Sequence, residues 1–139
     1  MPFIRITVLG PTLPAEQIRR LHQGTTDLMV SVMRKPIEGI AALVEQISQG
    51  AWNIAGRPAS VGAHVEATIA QRANTGEEKA RFIAAMWALL RSTLGPELRE
   101  ETYVVVREVD TEAYGRGGLT RAERGRDAQV ASDAARARH

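Results

Sequence analysis

The 139-residue chain carries 18 Lys+Arg, 16 Asp+Glu, 3 His and no cysteine, with 44% hydrophobic and 24% charged residues. That is the make-up of one folded domain, or of two small units sharing a core, and the missing cysteines exclude disulfides, thiolate-bound metal and thiol catalysis. No apolar run approaches the roughly 20 residues of a membrane span, and MPFIRITVLG holds too short an apolar run for a secretory signal, so a soluble, cytoplasmic protein is expected.

Residues 3–9, FIRITVL, alternate as a strand does, with Phe3, Arg5, Thr7 and Leu9 on one face and Ile4, Ile6 and Val8 on the other. Gly10-Pro11-Thr12-Leu13-Pro14 is a turn, with Thr12 as the expected N-cap and Pro14 in the first helical turn. A helix over residues 14–34 follows. Ile18, Leu21, Leu28 and Val32 form its apolar stripe, Thr25 falls in register, and Pro36 ends it. Residues 39–45, GIAALVE, read as a mostly apolar, buried strand.

Residues 65–71 then read as a short, weaker strand. Thr75-Gly76-Glu77-Glu78 is a capping-box signature, and the helix behind it carries Phe82, Met86, Leu89 and Thr93 on one stripe, flanked by Ile83, Leu90 and Leu94. Gly95-Pro96 stops that helix. Residues 102–108, TYVVVRE, make the strongest strand signal in the chain, and Gly115-Arg116-Gly117-Gly118 reads as a hairpin turn. From Leu119 onward five arginines face Glu123, Asp127 and Asp133, which places the whole formal charge of +2 in that stretch. With only Leu119 and Val130 as large apolar residues, residues 119–139 are expected to be a solvated, disordered tail, the alternative being a weak polyanion-binding or subunit-wrapping one.

The two halves repeat at an offset of 62, seen at Glu16/Glu78, Ala41/Tyr103, Val44/Val106, Trp52/Tyr114 and Gly56/Gly118. The expected organisation is a β-α-β unit over residues 1–58, a second over 59–118 and the tail. A strand–helix–strand unit of this size implies parallel strands joined by a right-handed crossover. Two units side by side give an α+β fold, a four-stranded sheet with both helices on one face. The other face then needs cover from a further copy, so a homo-oligomer is expected.

A formally neutral body argues against nucleic acid, whose binding rests on a basic face. His22, His64 and His139 lack metal-ligand spacing, no phosphate loop is present, and no metal or cofactor is expected. The chemically distinctive residue is Pro2. Loss of the initiator methionine would leave its ring nitrogen as a secondary amine, and desolvation would bring that base toward neutrality, where proton abstraction beside a carbonyl requires it.

Pro2 followed at once by a strand, a long helix, a second strand and Gly50-Ala51-Trp52-Asn53-Ile54-Ala55-Gly56 resembles the tautomerase superfamily, in its 4-oxalocrotonate tautomerase-like branch. Tyr114 with Gly115-Arg116-Gly117-Gly118 resembles a second copy of that unit's ending, which makes the chain similar to a fused tandem form. The resemblance covers residues 2–118. It implies a trimer of two-unit chains, Pro2 as general base or acid, and a keto–enol or double-bond shift in a small 2-keto acid. The family's arginines would have counterparts only in part. Ala41 and Tyr103 stand where one begins the second strand, so Arg72 is left to pair with a substrate carboxylate, and activity on dicarboxylates is expected to be weak. Tyr103 would donate to enolate oxygen. Trp52 and Tyr114 would wall the site or simply pack the hairpins. Asn74 is a further substrate-binding candidate, with Arg5, Arg116 and His64 in reserve. Two other readings stay open: a ferredoxin-like small-molecule binding or regulatory module without catalysis, and a proline-dependent hydratase or dehalogenase.

Overall fold

The computed structural model describes residues 2–138; Met1 and His139 lie outside them. The first unit contains β1 (Phe3–Leu9), α1 (Ala15–Ser31) and β2 (Ala41–Ile47), closed by the small hairpin β3 (Asn53–Ile54) and β4 (Arg57–Pro58). The second contains β5 (Gly62–Ala70), α2 (Gly76–Leu94) and β6 (Tyr103–Val109), closed by β7 (Gly115–Arg116) and β8 (Leu119–Thr120). A terminal helix, α3 (Arg121–Ala137), follows.

The main sheet has the order β2-β1-β5-β6. Within each unit the two strands are adjacent and parallel, and the units meet through an antiparallel β1–β5 pair with Phe3 opposite Thr68 and Leu9 opposite Gly62. Each unit is thus an unsplit β-α-β crossover. A ferredoxin-like chain splits its crossovers to insert a strand between them, so that alternative fold is corrected by the pairing.

Alternation along β1 decides the layering. Ile4, Ile6 and Val8 point into the core with Ala63, Val65, Ala67 and Ile69 of β5, against Leu21 and Met29 of α1 and Phe82, Met86 and Leu90 of α2. Each of the larger side chains contributes about 1.5–3 kcal/mol by leaving water. Thr25 and Thr93 are buried in register with their stripes, as the spacing indicated, and the Thr25 hydroxyl reaches the Met86 sulfur at 3.7 Å. The α1 stripe is centred on Leu21, Thr25 and Met29 rather than on Ile18, Leu28 and Val32, which sit at its margins.

Several local expectations are corrected. Pro14, not Thr12, caps α1, and no side chain assists it. Residues 37–39 form a 3-10 turn that delays β2 to Ala41, and β2 is half-exposed because it is an edge strand. β5 is the longest strand, not a weak one; its Gly62, Ala63, Ala67 and Ala70 conceal the strand signal while allowing close packing. Residues 121–137 are helical, not a disordered tail. Thr120 and Glu123 form a full capping box, and an Ala/Arg-rich segment needs no apolar stripe to hold helical dihedrals.

The face of the sheet opposite the helices is open in the single chain. Phe3, Leu43, Tyr103 and Val105 stand there 45%, 40%, 67% and 38% exposed. Among them lie two ion pairs, Arg5 Nε to Glu45 Oε1 at 2.8 Å and Arg107 to Glu66. No helix among the described residues is long and apolar enough to cross a membrane.

Candidate active site

Pro2 is buried at the head of β1, and its carbonyl accepts the Ala41 N–H at 3.2 Å, which clamps it between the two strands of the first unit. It lines a cavity of about 390 Å³. The apolar part of the wall is Pro36, Ile69, Ala70 and Ala73; the rest is Arg34, Lys35, Arg116, Arg121 and Arg124. Five cations therefore face the candidate base, drawn from the end of α1, from β7 and from the first turn of α3.

Each is placed by local structure. Arg34 follows α1 with φ of +56°, in the left-handed region, and its Nε pairs with Glu78 Oε2 at 2.8 Å. Glu78 is buried at the start of α2, where it also accepts the Thr75 N–H at 2.9 Å. The Thr75 N–H holds the Glu78 carboxyl below its ordinary range, aided by Arg34 and Asn74 and opposed by burial. Lys35 is driven below its usual value, first by burial and further by the Arg121 and Arg34 charges, with Glu78 pulling it back. Arg124 lies over the second hairpin: its Nη2 donates to the Arg116 carbonyl at 2.9 Å, and its buried Nε has no partner.

The residues singled out in the sequence divide. Tyr114 lies at the Pro2 end of the sheet, donating to the carbonyl of Thr68, the strand partner of Phe3, at 3.2 Å, but it does not line the Pro2 cavity. Burial raises its phenol above the ordinary value, while the Phe3 N–H lowers it. Arg116, held in reserve, lines the cavity. Arg72 does not; it is exposed at the β5–α2 turn with φ of +65°. Asn74 spans the two units, donating to the Met33 carbonyl at 2.9 Å, so its amide ties down the Arg34 segment instead of facing the cavity. Arg5 is engaged with Glu45 on the open face. Trp52 and Tyr103 come together with His64, but at the opposite end of the sheet, around a separate hollow of about 290 Å³. Trp52 packs over Gly62, where an added Cβ would sit 3.2 Å from the indole. Arg34 and Lys35 escaped the sequence reading, and Arg121 and Arg124 were counted there only as arginines of the tail. The signals available were a dibasic pair ahead of Pro36, and two arginines one helical turn apart after the second glycine hairpin.

The 62-residue offset makes His64 the counterpart of Pro2 and Ile54 that of Arg116, and the hollow that these two line holds Glu101 and no lysine or arginine among the described residues. A neighbouring hollow of about 260 Å³, lined by Val8, Gly10, Thr12, Val61 and Leu94, holds no charged side chain among them. Only the Pro2 end of the duplication is cationic. Among the described residues no three His, Asp or Glu side chains gather as a metal site.

Residues 2–61 match the family model described as Tautomerase enzyme. The chain is similar to the solved structure of Pt0534 inactivated by 2-oxo-3-pentynoate, with 22% identity, a TM-score of 0.80, and 88% of this chain and 98% of that one covered. It is also similar to a wild-type fused 4-OT symmetric trimer, with 20% identity, a TM-score of 0.77 and the same coverage. A macrophage migration inhibitory factor-like protein from Entamoeba histolytica shares 17% identity over 86% of this chain and 97% of that one, with a TM-score of 0.69. No curated protein matches the chain by sequence. The amino-terminal unit thus matches the Tautomerase enzyme family model, and the chain as a whole has the fold of the fused 4-OT structures, two β-α-β units in tandem.

Proposed function

We propose that the protein is a cofactor-independent tautomerase, in which Pro2 moves a proton between carbon and oxygen, or along a conjugated system, in a small 2-oxo acid. The observation that carries this reading is the burial of Pro2 in a cavity whose other polar groups are cations. Once Met1 has been removed, the ring nitrogen is a secondary amine. An ordinary chain-terminal amine titrates at about 7.7–8.0, and both desolvation and neighbouring positive charge disfavour its protonated form. The free amine then takes the proton from the carbon beside the ketone. The electron pair moves onto the carbonyl oxygen, where a guanidinium N–H stabilises it. The prolinium returns the proton to oxygen or to the far carbon, and no external reactant is consumed.

The homotrimer belongs to the same reading, supported by the open sheet face and by the trimeric fused 4-OT structures to which the chain is similar. Isomerisation is preferred to hydration or hydrolytic dehalogenation because, among the described residues, no carboxylate lines the Pro2 cavity to activate water.

Intact mass should show the chain without Met1. Pro2→Ala should then slow enol–ketone exchange on an arylpyruvate by about 100-fold or more, the range associated with loss of a general base. The wild-type kcat/KM should rise with pH through a value below that of an ordinary amine. An unchanged rate in Pro2→Ala would leave a binding module without catalysis as the better account.

A further inference from the structure

Proton transfer on a simple 2-oxo acid needs one cation for the carboxylate and one donor for the enolate oxygen. The end of α1 supplies both, as Lys35 and as Arg34, whose charge is already shared with Glu78. Three arginines remain: Arg116 from β7, and Arg121 and Arg124 from the first turn of α3. None of them makes an ion pair with a carboxylate among the described residues.

The cluster is built, not incidental. Arg121 and Arg124 are three residues apart, hence neighbours on one helix face, and the Thr120–Glu123 capping box fixes the turn that carries them. Arg124 is pinned to the Arg116 carbonyl yet keeps a buried Nε without an acceptor. Gly117, at φ of +58°, leaves room for this: a Cβ there would lie 2.8 Å from Arg124 Nη2. A buried, unpaired guanidinium N–H calls for an anionic oxygen. A carboxylate offers two oxygens and one charge. A phosphate offers three oxygens and close to two charges, which suits three converging guanidiniums better.

We propose that the β7–α3 arginines bind the phosphate of a small phosphorylated 2-oxo acid, whose reacting carbon is presented to Pro2. This deepens the tautomerase reading and rests on it for the role of Pro2. The phosphate end depends on α3, which lies beyond the family-matched residues 2–61.

Calorimetric titration of the full chain with 3-phosphohydroxypyruvate, hydroxypyruvate and the dicarboxylate 2-oxoglutarate tests the assignment. The phosphorylated acid should bind at least about tenfold more tightly than either, the scale of one charge-assisted hydrogen bond, and inorganic phosphate should compete with it. Arg121→Gln/Arg124→Gln should remove that preference, costing the phosphorylated acid at least about tenfold more affinity than hydroxypyruvate, while the far-ultraviolet spectrum shows the sheet and its two packed helices in place. Equal affinity for the three acids, or a preference that survives the double variant, would overturn the proposal. Pro2→Ala separates the two readings: it should abolish exchange and keep phosphate-dependent binding. Tight binding of the phosphorylated acid without any exchange in the wild type would uphold the phosphate site and remove the catalytic role of Pro2.

Discussion

Glu78 shows how one side chain can serve both the fold and the site. Its capping role accounts for its position at the third residue of α2, while the same carboxylate holds Arg34 against the wall of the Pro2 cavity. Its folded pKa is depressed, so the stability it contributes is complete above the ordinary glutamate value of about 4.3 and is lost as pH falls through the lowered value. Denaturant midpoints measured from pH 7 to pH 3 should therefore fall more steeply for the wild type than for Glu78→Gln. The variant should be the less stable of the two at pH 7, and parallel curves would contradict the linkage. The same substitution frees Arg34 and should raise KM for any anionic substrate.

At the scale of elements, two helix contacts have different weights. α1 packs tightly on α2 at Gly24, where an added Cβ would lie 2.7 Å from Leu89 Cδ1. Gly24→Val should thus cost about 1–3 kcal/mol through overpacking, read as a lower thermal midpoint of the whole chain. α3 behaves otherwise, since none of its residues is buried. Thr120→Ala should loosen only that helix, by about 1 kcal/mol, detected as faster amide exchange over residues 121–137 with an unchanged global midpoint. Because Arg121 and Arg124 ride on that first turn, the same variant should weaken binding of a phosphorylated acid.

For the whole molecule, the open face of the sheet is the unfinished part. Phe3, Leu43, Tyr103 and Val105 leave apolar surface in water, and the ion pairs between them already satisfy the charges on that face. Such a face is suited to burial against copies of itself. Sedimentation should give three times the 15.2 kDa chain mass. Val105→Asp, which sets a carboxylate beside Glu66 in the strand register, should shift the protein toward single chains while their circular dichroism persists. A variant that remained trimeric would place the interface elsewhere.

What the sequence determined by itself is whatever neighbouring residues decide. Alternation through Phe3–Leu9, the Thr75–Glu78 box, the stops at Pro36 and Gly95-Pro96 and the repeated aromatic–glycine hairpins fixed two β-α-β units and put Pro2 at the head of a strand. Where small residues replace branched ones, as in β5, or a cap replaces an apolar stripe, as in α3, the same local signals fall silent. The cavity belonged to the tertiary structure alone. Arg34, Lys35, Arg116, Arg121 and Arg124 come from a helix end, a hairpin and a terminal helix that no periodicity connects. Strand register sent Tyr103 and Trp52 to the far end of the sheet, and a left-handed turn residue left Arg72 on the surface. Charge counted along the chain sums to almost nothing; folded, it converges on one side of Pro2, because packing sets the distances between side chains and sequence separation does not.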